Sequence, residues 1–533
     1  MKERYLCRKK WLPVVALLVV LGGFGLWGMQ SKISQAGKNY FTVDRMLAVK
    51  EGQSKTISFS GNVVVKGKDE GKLKKISFTS SDTQVAKVNS KGKVTGKSAG
   101  SCQIKVKVSY VSSQAVTGAG GSKQKKNKIC QKTYKCQVVV SKNKVSIMKE
   151  SLSSLPEDYL NQQSDFALGL LKEDGRGAIE KGENVLISPD SVMSAMLMAA
   201  NGASGSTRTE MEKVLCGGNS REIWCNNQAV YNQALHSSPD VEFYLANSVW
   251  IRDDPGKIQV KPDFLSKNKE LFAADAYLEP FDQSTVTQIN NWVKKNTNKM
   301  IPSIIDRIPD EIGMYLINAT TFEGRWSKTY EENQVLENED FTDGSGKQHK
   351  VTMLSSSEGQ YISSDCLTGV VKPYEGNEFA FMALLPNENV TVSTVLEQMT
   401  GEQWRKLYLN RSQETVITQI PEFSYDYKSS METALQQMGI KEAFIPAANF
   451  QEMASTESGY LYIDQVLHKT HIELDRNGTK AAAVTAISMN MTGCVADEEP
   501  PKKVILNRPF IYGIIDTYTG YPVFIGVLNH IED

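Results

Sequence analysis

Histidine is scarce: 5 in 533 residues. That leaves little material for His-rich metal binding or for general-base chemistry near neutral pH. The 8 cysteines are too thinly spread for a disulfide scaffold. No Gly-x-Ser-x-Gly or Walker loop occurs, so the usual hydrolase elbow and the phosphate-binding P-loop are excluded. Net charge is nearly absent at +1, but that value averages two unlike parts. Residues 1–150 hold 30 Lys+Arg and 7 Asp+Glu, a net of +23, whereas residues 151–533 hold 31 and 53, a net of −22. A single uniform domain is therefore excluded. So is a simple nucleic-acid binder, because the larger part repels phosphate. With 40% hydrophobic and 8% aromatic residues the chain can bury a core, which excludes global disorder.

The chain opens with Lys2, Arg4, Arg8, Lys9 and Lys10, followed by 19 uncharged residues from Trp11 to Met29. A helix of roughly 20 apolar residues crosses a bilayer core, and basic residues before it keep the N-terminus inside. Residues 1–37 are therefore expected to form a basic flank and an N-terminal membrane helix. The Ser34-Gln35-Ala36 site leaves open cleavage near Ala36 and secretion. Either way the rest lies outside the cytoplasm, with seven cysteines: Cys102, Cys130, Cys136, Cys216, Cys225, Cys366 and Cys494. Cys7 stays inside. Seven is odd, so at least one thiol is free or pairs between molecules.

Residues 38–145 alternate like half-buried strands, as in Lys75-Ile76-Ser77-Phe78-Thr79, Gln103 to Val108, and Cys136 to Val140. Short alternating runs between turn signals predict an all-β sandwich. Ser80-Ser81-Asp82, Val85-Ala86-Lys87-Val88, Gly92-Lys93-Val94-Thr95-Gly96 and Ala99-Gly100 resemble the recurring pattern of bacterial Ig-like domains. Residues 111–128, rich in Gly and Ser and then in Lys, are expected as a disordered loop. The basic excess points to an anionic cell envelope as a partner. Cys102 and Cys136, on strands able to neighbour each other, are a candidate disulfide in an oxidising compartment.

A linker is expected at 146–154 and an α+β domain at 155–533, since helical patterns come early and strand patterns late. Asp190 to Ala200 and Val286 to Thr297 have helical spacing, and Thr207-x-x-Glu210 reads as a capping box before Met211. Ala380 to Pro386 and Phe510 to Ile515 read as strands. His468 and His471 stand three apart in a strand and point to opposite faces, so they do not form a metal pair. No cofactor is implied, no metal site is expected, and the chain is not expected to be an enzyme.

The segment from His468 to Arg508 is the most informative. Gly478-Thr479-Lys480-Ala481-Ala482-Ala483-Val484-Thr485-Ala486 is a run of small residues, followed by a polar irregular stretch and then by Asn507-Arg508-Pro509-Phe510, Thr519-Gly520, Phe524-Ile525-Gly526 and Asn529. With Asn184 to Ser191, Ile289-Asn290-Asn291-Trp292-Val293, and Leu316-Ile317-Asn318-Ala319 through Trp326, this resembles the serpins, serine protease inhibitors. The resemblance implies three β-sheets with surrounding helices and an exposed reactive loop. It also implies suicide-substrate inhibition of serine proteases by a monomer. A cut loop enters the central sheet as a new strand and traps the acyl-enzyme. Small residues at Thr479, Ala481, Ala482, Ala483, Thr485 and Ala486 suit entry into a packed sheet, with Lys480 pointing outward.

Counting seventeen residues from Arg476, as the resemblance implies, places the reactive bond at Thr492–Gly493. Met491–Thr492 and Cys494–Val495 stay open as alternatives. No Lys or Arg lies between Lys480 and Lys502, which favours elastase-like or subtilisin-like targets over trypsin-like ones. By resemblance, Ser188, Ser191, Asn318 and His468 form the shutter that controls sheet opening, and Trp326 marks the breach where insertion begins. Arg476 and Glu422 reverse the charges that the family often carries there, so a swapped salt bridge is expected. The competing reading is an adhesion or binding protein with the serpin-like fold as a passive head.

Overall fold

The computed structural model describes residues 42–531 apart from 44–45, 58, 61–62, 66–68, 99, 118–122, 142–146, 239, 254–257, 273, 311, 457–460 and 480–500. The expected membrane helix at Trp11–Met29 lies outside the described residues. Among those described, no helix is long and apolar enough to cross a membrane.

In the N-terminal domain alternation sets the layers. Along strand Gly100–Thr117, Cys102, Ile104, Val106, Val108 and Tyr110 are buried while Lys105 and Lys107 are exposed. A pleated strand sends successive side chains to opposite faces, so the lysines line the outside of a sheet whose inside is apolar. That sheet has five strands, ordered Met46–Lys50, Lys123–Ser141, Gly100–Thr117, Asp69–Ser80 and Val63–Val65. A three-stranded sheet of Ser54–Thr56, Lys93–Gly96 and Ala86–Val88 supplies Val94 and Ala86 to the same core.

Three expectations for this part need correction. The loop expected at 111–128 is mostly strand: one strand runs to Thr117 and its antiparallel partner starts at Lys123. The expected linker at 146–154 holds a helix, Ile147–Leu152, whose Met148 and Leu152 are buried in the core of the larger domain. Cys102 and Cys136 are not bonded to each other. Cys102 stands opposite Val138 and Cys136 opposite Ile104, so the two are diagonal neighbours. Such neighbours lie about 7–8 Å apart, beyond the reach of an unstrained disulfide.

The larger domain has three main sheets. The central one has six strands in the order Asp275–Glu279, Val241–Arg252, Met314–Arg325, Gly478–Thr479, Gln465–Leu474 and Phe423–Ser430. A second six-stranded sheet includes Phe379–Pro386, Phe510–Asp516 and Pro522–Leu528, every residue of which is buried. Strands covered on both faces read as continuous apolar runs. The third sheet joins Val335–Thr342, Gln348–Glu358, Val416–Pro421 and Lys502–Ile505.

The central sheet is also covered on both faces. From the Met314 strand, Met314, Leu316 and Phe322 enter the main core. Tyr315, Ile317 and Ala319 pack instead with Val286, Ile289, Trp292 and Val293 of helix Gln283–Asn296. That helix starts earlier than the spacing predicts, because Asp282 caps it by accepting from Ser284 N at 2.8 Å. The helix expected from Asp190 spans Pro189–Ala200 and is buried throughout. The expected capping box at Thr207 is not formed. The helix begins at Gly205, and Thr207 Oγ1 donates to Glu442 Oε1 at 2.7 Å while Glu210 Oε2 accepts from the backbone N–H of Lys441 and Glu442.

Peptide mapping without reductant is expected to recover the Cys102 and Cys136 peptides unlinked from each other. A Cys102–Cys136 crosslinked peptide would contradict the strand register.

Candidate functional site

The site is a seam in the central sheet. The Met314 and Gln465 strands run parallel and pair directly from Tyr315–Gln465 to Thr320–Thr470. Beyond that point they part. Gly478–Thr479 enters the opening antiparallel to both, with Gly478 opposite Arg325 and Thr479 opposite both Gly324 and Leu474. The chain reverses into this position through Asp475. Its Oδ1 accepts from the N–H of Asn477 at 2.7 Å and of Gly478 at 3.0 Å, and its own N–H donates to Gly478 O. Asp at such a bend holds the turn with its own carboxylate. Glycine is required at 478, since a Cβ there would stand 2.1 Å from Gly324 O.

Aromatic rings hold this end of the seam. Trp326 donates through its backbone N–H to Asn477 O and through Nε1 to Asp475 O, both at 2.9 Å. Its ring stacks on Tyr374 at 4.5 Å, and Tyr374 Oη bonds Thr479 Oγ1 at 2.6 Å. Burial raises the Tyr374 phenol above its ordinary range, so it stays neutral and able to donate. Behind the rings lies a buried ion pair. Lys372 Nζ donates to Glu358 Oε1 at 2.7 Å and sits 4.3 Å from the Tyr330 ring centre and 5.5 Å from that of Trp326. Burial lowers the Lys372 pKa, and Glu358 opposes the shift. Cation–π contact with a desolvated ammonium is worth about 2 kcal/mol.

Where the seam is shut, apolar pairs such as Ile317–Leu467 alternate with polar groups that are poorly paired. His468 and Asn318 face each other across it. His468 Nε2 accepts from the Ser188 N–H at 3.1 Å, so the neutral ring carries its proton on Nδ1. That atom, with Asn318 Oδ1, Ser188 Oγ, Ser191 Oγ, Thr320 Oγ1 and Thr321 Oγ1, is buried with no protein partner among the described residues. Asn318 Nδ2 does donate to Asn247 Oδ1 at 3.0 Å. A buried unpaired polar group costs about 1–3 kcal/mol, so this stretch is a weak place in an otherwise well-packed sheet.

Ser188, Asn318 and His468 thus gather at the shut part of the seam, Ser191 is buried in the first turn of helix Pro189–Ala200 that follows Ser188, and Trp326 stands at the open end. Gly478 and Thr479 lie in the wedge. Ala481, Ala482, Ala483, Val484, Thr485 and Ala486 lie outside the described residues, as do Met491, Thr492, Gly493, Cys494 and Val495. The expected Arg476–Glu422 salt bridge is not formed. Glu422 Oε1 accepts from the backbone N–H of Arg476 at 3.1 Å, while the guanidinium turns to Glu332 at 2.8 Å. The half-buried Glu422 is served by the backbone instead, and burial raises its pKa. Sequence reasoning missed Tyr374, Asp475 and Lys372. Only Lys372, a lone charge in the apolar strand Leu367–Pro373, gave a signal.

Two family models match the chain: Serpin (serine protease inhibitor) over residues 161–531 and Bacterial Ig-like domain (group 2) over residues 40–118. An uncharacterized serpin-like protein of Pyrobaculum aerophilum is 30% identical over 382 residues, which cover 70% of this chain and 93% of that protein. The thermophilic serpin tengpin in its native state is 38% identical with a TM-score of 0.67, covering 71% of this chain and 95% of tengpin. Its latent state is 37% identical with a TM-score of 0.62, covering 71% and 99%.

His468 gives a pH test. Burial holds its pKa down to about 3, against an unfolded value of about 6.5. The unfolded chain therefore takes up the proton first, and this contribution to stability is full above pH 6.5 and lost on acidification. Relative to His468→Gln, the wild type is expected to lose about 1.4 kcal/mol per pH unit from pH 6.5 toward 3. Denaturant titrations of both across this window check it. A relative stability that rises on acidification contradicts a buried neutral ring.

Proposed function

The chain belongs to the serpin family, with a bacterial Ig-like domain preceding the serpin fold, and from that premise we propose that it traps serine endopeptidases as a suicide substrate. A protease serine attacks the carbonyl of Thr492, and the amine of Gly493 leaves. The acyl-enzyme ester is then carried away from hydrolysis as the loop N-terminal to it enters the central sheet. The observation that carries this reading is the wedge: two residues of the loop already sit between strands that are still paired further along.

Continued residue by residue, that register sets Ala481 between Phe322 and Ile472. It sets Ala483 between Thr320 and Thr470, and Thr485 between Asn318 and His468. All three share the face on which Thr479 meets Tyr374, so small side chains enter without clash. The Thr485 hydroxyl arrives where His468 Nδ1 and Asn318 Oδ1 have no partner among the described residues. Insertion thus relieves the polar strain of the shut seam and adds a full row of backbone hydrogen bonds. Lys480 falls on the opposite face. The uncharged residues around Thr492 fit elastase-like or subtilisin-like pockets. The basic N-terminal part suits attachment to an anionic cell envelope, as a membrane-anchored or secreted protein, with the acidic domain facing outward.

Incubation with elastase-, subtilisin- and chymotrypsin-like proteases tests this. The expected result is an SDS-stable complex with an elastase-like or subtilisin-like enzyme, and release of a C-terminal peptide starting at Gly493. Loop cleavage without a complex for every protease would favour a binding or adhesion role instead.

A further inference from the structure

At the foot of the seam, opposite the wedge, one carboxylate bridges the two strands. Asp464 immediately precedes the Gln465 strand. Its Oδ2 accepts from the backbone N–H of both Gly313 and Met314, each at 2.9 Å, where the Met314 strand begins. The neighbouring strand braces the same segment from the other side. Arg252 Nε donates to Ile312 O at 2.8 Å, its Nη2 donates to Asp310 O at 2.9 Å, and its backbone N–H donates to Gly313 O at 2.9 Å. The Met314 strand is thus tied to the body of the sheet by Arg252 and across the seam by Asp464.

A strand fitted into this seam would move its edges from about 4.8 Å apart to about twice that. A hydrogen bond of 2.9 Å does not survive such a displacement. In the upper part the edges are already apart, and in the middle the contacts are ordinary backbone pairs. Among the described residues, only at the foot does a carboxylate take two backbone N–H groups across the seam, and charge-assisted bonds are about twice as strong as neutral ones. We propose that Asp464 is a positioning residue for trapping: a clamp that keeps the foot of the seam shut in the uncut chain and yields only to a cut loop that has already filled the upper part. This rests on the insertion reading above.

The test uses the full chain. Uncut wild type, Asp464→Ala and Asp464→Asn are warmed, and spontaneous loop insertion is followed as loss of loop susceptibility to a non-target protease. Asp464→Ala is expected to insert about tenfold faster than wild type. Asp464→Asn, which keeps an oxygen acceptor, should fall between them and carries the ranking alone if the alanine variant does not fold. Loop-cut forms of all three should melt together, because the clamp is already broken in them. A wild-type insertion rate in both variants overturns the clamp, and so does an equal drop in melting temperature for uncut and cut forms. If cutting fails to raise the melting temperature of the wild type itself, the insertion reading fails first, and the clamp falls with it.

Discussion

Two parallel strands share only part of their length, and that constraint governs the larger domain. Tyr315 to Thr320 is bonded to Gln465 to Thr470, and past those residues the strands separate around Gly478–Thr479. Backbone groups in a sheet need partners. A seam that opens partway therefore offers bonding capacity that a further strand can take up. Every residue of the candidate site is placed with respect to that line.

The two ends of the seam are built differently. At the open end Trp326, Tyr374 and Tyr330 are packed over a buried Lys372–Glu358 pair, and three consecutive carbonyls, from Asp475, Arg476 and Asn477, accept from Trp326 and Tyr330. This end is well satisfied and fixes where the chain enters. Along the shut part, polar atoms of His468, Asn318 and Ser188 are buried without protein partners among the described residues. Tight entry and a weakly satisfied path ahead together suit a sheet that stores free energy until its loop is cut.

Much of this was legible in the sequence, for identifiable reasons. Period-two alternation in Gln103 to Val108 gave the sandwich, and of the small-residue run only Gly478 and Thr479 fall within the described residues, paired in the central sheet. His468 and Asn318 came from resemblance alone, because nothing in their spacing brings positions so far apart in sequence face to face. The Arg476–Glu422 pair failed for a geometric reason: charge complementarity does not reveal that a backbone N–H occupies the carboxylate first. Thr207 failed as a cap because Glu442, far along the chain, claims its hydroxyl. Lys372 stands out as a lone charge in an apolar strand, whereas Asp464 bonds a segment far away in the chain, and local pattern carries no trace of such a partner.

The central claim is that the Met314 and Gln465 strands must separate for inhibition. Ile317 and Leu467 are direct partners across the shut seam, close enough for a disulfide once both are cysteine. The most direct measurement compares SDS-stable complex formation by the oxidised and reduced Ile317→Cys/Leu467→Cys variant with a protease that the wild type traps. The account predicts that the oxidised variant is cut in its loop without trapping and that reduction restores the complex. Equal trapping by the oxidised and reduced forms, with the disulfide verified, would contradict it.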